Sequence, residues 1–249
     1  MPLPYNRCQP NNEPSVYKWL RALHWWLLPG HCLLCDLGSG RDFDLCALCE
    51  ADLPWIQVAC PRCAVPLPSP APGCARCLRR PPAFACTRAP MAYQGAVASL
   101  VPRWKKGELP ALQRVLVGLL AARVAPAAAE VDLLVPVPLH RRRRAQRGFN
   151  QAQELALGLG AELGLPVLTR PVLRTRDTRS QQGLNAAARR RNLRGAFRVD
   201  ADLSGCHVAV VDDVVTTGAT AEALAVAVLR AGAQRVEVWA VARTPRPQA

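Results

Sequence analysis

Beyond residue 85 the chain alternates between two apolar patterns. "VDLLVPVPL" (131–139), "CHVAVVDDVV" (206–215) and "RVEVWAVAR" (235–243) are near-continuous apolar runs. Valine-rich runs of that length read as strands buried on both faces. "PVLTRPVLR" (166–174) reads as a further short strand. Helical spacing fills the intervals, over about 95–104, 109–124, 150–163 and 220–233. Pro102 sits awkwardly near the end of the first helix. Asn150 suits the N-cap of the third, and Gly164 stops it. The predicted fold class is α/β, with a parallel sheet covered on both faces across residues 85–245. Ligands of such sheets sit beyond the carboxyl ends of the strands.

The first 80 residues follow neither period. Residues 1–30 read as a tail and an amphipathic helix, with Trp19, Leu20, Leu23, Trp26 and Leu27 on one side. "VYKWLRALHWWLLPG" (16–30) is too short to span a bilayer and carries Lys18 and Arg21. It lacks a small-residue cleavage site. It either lies at a membrane surface or, the favoured reading, packs on the domain that follows. The expected location is cytoplasmic.

Residues 31–80 carry the main chemical signal. Cys32, Cys35, Cys46 and Cys49 read C-x2-C-x10-C-x2-C, and Cys60, Cys63, Cys74 and Cys77 repeat that spacing 28 residues later. A C-x2-C turn puts two thiolates on one side of a metal, and two turns complete a tetrahedral site. Two closed, structural Zn²⁺ sites are expected. The pairs combine either sequentially or as a cross-brace, and sequential pairing is the simpler. Few large apolar residues lie in this stretch, so metal would stand in for a core. Structural zinc supplies roughly 10–16 kcal/mol in finger peptides. Cys8, Cys86 and Cys206 have no partner at ligand spacing, and Cys206 reads as a small buried hydrophobe. "RRPPAF" (79–84) reads as a linker.

Charge narrows the partners. The chain has 32 basic and 18 acidic residues, and only Lys18, Lys105 and Lys106 among the basic ones are lysines. That bias is also what genome composition drift produces. Its distribution is less neutral: between Leu139 and Arg198 there are 14 arginines against Glu154, Glu162 and Asp177. Such a block attracts phosphate, nucleic acid or anionic lipid.

"VVDDVVTTGAT" (210–220) joins a buried strand to a helix through small residues. The turn offers unpaired backbone N–H groups, and the helix dipole adds about half a positive charge there. Gly218 allows close approach, while Thr216, Thr217 and Thr220 bring hydroxyl donors. Asp212 and Asp213 cannot hold a phosphate without a cation, but they can accept from a vicinal diol. A phosphate cradle beside diol acceptors describes a ribose 5-phosphate pocket. No G-x-G-x-x-G follows a strand and no G-x-x-x-x-G-K occurs, so the usual dinucleotide and P-loop phosphate loops are missing.

On these residues the segment resembles the phosphoribosyl pyrophosphate (PRPP) motif of type I phosphoribosyltransferases. "PVPLHRRRRAQRGFNQA" (136–152), "TRSQQGLNAAARRRNLRGAF" (178–197) and the tandem cysteine module extend the resemblance to the ComF family, the ComFC and GntX group, from about residue 20 onward. The resemblance implies a phosphoribosyltransferase-like domain behind a double zinc ribbon, linked to natural competence and single-stranded DNA uptake. It implies that Asp212 and Asp213 meet the ribose hydroxyls and that Thr216, Thr217, Gly218, Ala219 and Thr220 wrap the 5-phosphate. It puts the pyrophosphate near Val137, Pro138, Leu139 and His140, with Arg147 and Arg174 as anion contacts and Mg²⁺ carried in with PRPP. Arg141–Arg144 either support the pyrophosphate or form a solvated face. The segment 174–192 stands where the family has a loop over PRPP, with Arg179, Gln181, Arg189, Arg190, Arg191 and Asn192 as polyanion contacts. Purine-salvage relatives often carry an acid where Thr216 stands, which argues against purine as acceptor. The N-terminal cysteine nucleophile of glutamine amidophosphoribosyltransferases is missing too.

Three functions follow. One is a PRPP-binding protein of DNA uptake, with single-stranded DNA and a competence helicase or other uptake protein as partners. The second is an active phosphoribosyltransferase with a small-molecule acceptor. The third is a non-catalytic PRPP sensor that binds a protein.

Overall fold

The computed structural model describes residues 30–41, 43–108, 111–139, 145, 148–170, 172–174, 193 and 195–245. The amphipathic segment 16–29, Cys8, His140, Arg141–Arg144, Arg147 and the Arg-rich stretch 175–192 lie outside the described residues.

Two short helices belong to the cysteine region, α1 (Ala47–Ala51) and α2 (Ala75–Arg79). The sheet domain follows as β1 (Thr87–Arg88), β2 (Met91–Ala92), α3 (Gly95–Lys105), α4 (Ala111–Ala128), β3 (Leu133–Pro136) and α5 (Gln151–Leu163). It ends with β4 (Val172–Arg174), β5 (Phe197–Val199), β6 (His207–Val215), α6 (Ala219–Arg230) and β7 (Arg235–Arg243). The main sheet is parallel throughout, in the order β1-β7-β6-β3, with β2 also on β7. β4 and β5 form a separate antiparallel pair at the two ends of the Arg-rich stretch.

Strand alternation divides the core in two. Ala209 and Val211 of β6, with Trp239 and Val241 of β7, face the cluster that holds α3, α4 and α5. Val208, Val210, Val236 and Val238 face the cluster with α6 and the β4–β5 pair. Unbroken apolar runs are the sequence signature of that double coverage. α4 is apolar enough to pass as a membrane span, yet half of it is buried inside the fold. It is a core helix.

Several boundaries differ from the sequence expectation. The run 131–139 pairs as a strand only over Leu133–Pro136, because Pro138 has no N–H with which to extend the ladder. The stretch 166–174 is not one strand. Val167 makes an isolated bridge to Leu134, and the strand proper is Val172–Arg174. α3 runs through Pro102, and α4 continues past 124 and through Pro126. Asn150 caps α5 as expected, its Oδ1 accepting from the Ala152 N–H at 3.2 Å, and Gly164 ends it in the left-handed conformation at φ 69°.

The cysteine region does not stand apart from this core. Cys32, Leu45 and Leu53 lie in the cluster with α3 and α4. The second four-cysteine unit keeps a small cluster of its own, Val65 with its four cysteines.

Candidate functional site

The two cysteine sets assemble sequentially. The thiols of Cys32, Cys35, Cys46 and Cys49 lie within 4.8 Å of one another, and so do those of Cys60, Cys63, Cys74 and Cys77. Sγ–Sγ distances of 3.9 Å (Cys35–Cys46) and 3.7 Å (Cys63–Cys74) match the edge of a tetrahedron with Zn–S near 2.3 Å. Both first turns share one shape. Asp36 and Ala64, each directly after the second cysteine, take φ 62° and 52°, and their N–H groups donate to the Cys32 and Cys60 carbonyls. Burial by itself would raise the Cys60 thiol, but the N–H groups of Cys74, Cys63 and Arg62 bring it down to about 7. Four thiols at tetrahedral spacing in each set fit Zn²⁺. Among the described residues Cys86 and Cys206 stand outside both sets, and burial together with Glu237 holds the Cys86 thiol up at about 12.

The other site forms where β6 becomes α6. Register places Pro136 opposite Val211, and the Val137 N–H donates to the Val211 carbonyl. Residues 137–139 therefore continue alongside Asp212 and Asp213, at the carboxyl end of the sheet. Asn150 fastens that end too, its Nδ2 donating to the Val137 carbonyl at 3.1 Å. Both aspartates are half-buried. Burial raises the Asp212 carboxyl well above its usual range, the Asp213 charge adds to this, and Lys105 opposes it. The Lys105 Nζ sits 2.6 Å from Asp213 Oδ2. Gln151 at the start of α5 steadies the lysine by donating to its carbonyl at 3.3 Å. Lys105 was missed by the sequence reading, although two adjacent lysines in a chain with 29 arginines were a usable signal.

After Val215 the chain makes a three-residue turn, Thr216–Gly218, into α6. Gly218 is the N-cap at φ 77°, a conformation that penalises a Cβ, and it has no side-chain cap. The Thr217 hydroxyl accepts from the Ala219 N–H at 3.3 Å. The carbonyls of this turn are tied down by arginine. Arg243, 3% exposed, donates through Nη1 to the carbonyls of Val215, at 2.9 Å, and Thr216. Arg76 of α2 donates to the Thr217 carbonyl. In a trans peptide the next N–H points opposite to the carbonyl. The N–H groups of Thr216, Thr217 and Gly218 are thereby turned away from the two guanidiniums. Among the described residues those of Thr217 and Gly218 make no hydrogen bond.

Of the remaining sequence-predicted anion contacts, Arg174 packs its guanidinium 5.7 Å from the Phe197 ring centre on the β4–β5 pair. His140 and Arg147 lie outside the described residues. Sequence reasoning also missed a groove of about 390 Å³ between the cysteine region and the β1–β2 edge. Trp55, Thr87, Arg88 and Arg123 are among its lining residues, and the Arg123 guanidinium lies 4.4 Å from the Trp55 ring centre.

Comparison with known proteins agrees with this arrangement. A family model for the double zinc ribbon domain matches residues 23–78. The DNA utilization protein YhgH of Salmonella typhimurium is 36% identical over 223 residues, covering 87% of this chain and 98% of that protein. Competence protein F of Haemophilus influenzae is 32% identical over 207 residues, covering 80% and 90%. A purine phosphoribosyltransferase from Pyrococcus horikoshii superposes with a TM-score of 0.34 at 20% identity, covering 51% of this chain and 71% of that one. So partial a likeness decides nothing about the site. The parallel sheet, the paired four-cysteine sites and near full-length relatives place the chain in the ComF-type family of DNA utilization and competence proteins, with a double zinc ribbon ahead of a parallel α/β domain.

Proposed function

We propose that the chain binds PRPP with Mg²⁺ at the β6–α6 turn and acts in the handling of single-stranded DNA during uptake. One observation carries the sugar-phosphate half: adjacent carboxylates on β6 run directly into a turn whose carbonyls are held by Arg243 and Arg76, with the Thr217 and Gly218 N–H groups on the opposite side. The 5-phosphate takes those N–H groups and the positive end of α6. Asp212 and Asp213 accept from the ribose hydroxyls. The pyrophosphate and its Mg²⁺ extend toward Val137, Pro138 and Leu139. Diol donors and Mg²⁺ favour an ionised carboxylate and burial raises Asp212, so binding draws a proton from Asp212 and tightens as pH rises.

The DNA half is supported by the relatives named for DNA utilization and competence. It is supported also by the net charge of +14 and by the groove in which Trp55 stacks with Arg123. Aromatic faces beside cations are what single strands need. Should the site also react, pyrophosphate leaves the anomeric carbon through an oxocarbenium-like state, with Lys105 and the acid pair contributing position and charge.

Calorimetric titration of the zinc-loaded chain with PRPP and Mg²⁺, beside a pyrophosphate-release assay, tests the first half. We expect saturable binding that Asp212→Asn/Asp213→Asn abolishes while the melting curve stays cooperative. Undiminished affinity in that variant would remove the site. A gel shift on single-stranded DNA at 50 and about 200 mM salt tests the second half, and affinity should fall steeply with salt.

A further inference from the structure

Both guanidiniums that hold the phosphate turn lead straight back to the second zinc site. Arg76 lies between the ligands Cys74 and Cys77 and donates to the Thr217 carbonyl. A Cβ built on Gly218 would lie 4.0 Å from its Nη1. Arg243 donates through Nε to the carbonyl of another ligand, Cys63, at 2.8 Å, and through Nη1 to the Val215 and Thr216 carbonyls. The Cys63 carbonyl belongs to the metal-binding turn itself, next to Ala64 at φ 52°. Two paths therefore join one metal to one turn, each a single side chain long. Both act on carbonyls, on the side of the peptide planes opposite the N–H groups offered to an anion. Neither arginine needs to touch the ligand.

We propose that Arg76 is a positioning residue for the sugar-phosphate turn, and that metal in the second four-cysteine site sets the turn's affinity for phosphate through it. The proposal rests on the sugar-phosphate reading of the β6–α6 turn. With zinc bound, the ribbon presents Arg76 and the Cys63 carbonyl at fixed places, and the turn keeps its N–H groups aligned. When zinc is lost, little apolar packing remains to fix the ribbon: its own cluster is Val65 and the four cysteines with Leu67 against it, and Ala64 is its one contribution to the sheet core clusters. The turn then regains freedom that an anion must remove on binding. Linkage makes the effect reciprocal: a bound sugar phosphate must hold zinc more tightly by the same factor that zinc tightens the sugar phosphate.

The test uses the full chain, ribose 5-phosphate and a zinc chelator. For the zinc-loaded wild type we expect ribose 5-phosphate to raise the second site's apparent zinc affinity about tenfold in chelator competition, within the range of ordinary couplings. Arg76→Ala keeps its zinc and its melting midpoint, binds ribose 5-phosphate about tenfold more weakly, and loses most of the protection of zinc by the sugar, the Arg243 path remaining. Its affinity for magnesium pyrophosphate, which does not use the turn, stays unchanged. Arg76→Lys, which keeps a cationic donor at this position, should recover most of the sugar-phosphate affinity. Arg76→Ala that binds ribose 5-phosphate as wild type does would overturn the proposal and leave the site itself standing. A wild type that ignores ribose 5-phosphate would overturn both.

Discussion

Lys105→Met removes the cation that faces the acid pair. The Lys105–Asp213 distance of 2.6 Å gives a gross attraction of about 6 kcal/mol at an effective dielectric constant of about 20. Desolvation and side-chain ordering cancel much of it. Exposed pairs net roughly 0.2–1 kcal/mol, whereas breaking a fully buried pair costs roughly 3–5 kcal/mol. Here the two side chains are 28% and 14% exposed, between those limits. About 2 kcal/mol is expected, or a fall of about 4–8 °C in the melting midpoint for a domain of this size. The sign with pH is fixed as well. The Asp212 carboxyl is raised in the folded chain by burial first and by Asp213 next, with Lys105 opposing. Its stabilising contribution is complete below the unfolded value near about 3.9 and is lost as pH climbs through the raised folded value. Removing Lys105 lifts that value further, so the gap between variant and wild type should widen as pH rises through the raised value. Thermal melts by circular dichroism at fixed zinc read it directly. In an Asp213→Asn background the same substitution should cost much less. A gap that does not change with pH, or no rescue by Asp213→Asn, would refute the electrostatic account of this corner.

Native mass spectrometry should find two zinc ions per chain, and Cys60→Ser/Cys74→Ser should retain one, since the two sets are spatially separate; loss of both would contradict sequential pairing. Gly218→Ala places a Cβ at φ 77° and should cost about 1–2 kcal/mol in a denaturant melt, with weaker ribose 5-phosphate binding. A neutral result would mean that the turn relaxes freely. Trp55→Ala should weaken single-stranded DNA binding by about 1–3 kcal/mol in a gel shift without altering PRPP affinity. An unchanged shift would take the groove out of DNA binding.

What the sequence discloses depends on how local each cause is. The cysteine sets are legible because ligand spacing is a local constraint. β6 and β7 are legible because strands buried on both faces are mostly apolar, Glu237 and Arg243 being the buried exceptions in β7, and α6 because its apolar positions recur at helical spacing. The acid pair stands out for the same reason, as carboxylates in a run that otherwise excludes charge. β1 and β2 are two residues each, on either side of Ala89 and Pro90, too short for any period to register. The ribbons' attachment is equally hidden. Leu45 and Leu53 are isolated apolar residues in a Pro- and Gly-containing stretch, and only the folded chain brings them to α3 and α4. Arg76 and Thr217 are 141 residues apart, and Arg243 and Cys63 are 180 apart. No local pattern in an arginine-biased chain separates these two guanidiniums from the other 27.

Soaking crystals of the zinc-loaded chain with ribose 5-phosphate puts the central claim to its most direct trial. The account predicts density for the phosphate within hydrogen-bonding distance of the Thr217 and Gly218 N–H groups, with sugar hydroxyls on Asp212 and Asp213. A sugar phosphate seated elsewhere, with the turn empty and the acid pair still closed on Lys105, would contradict it.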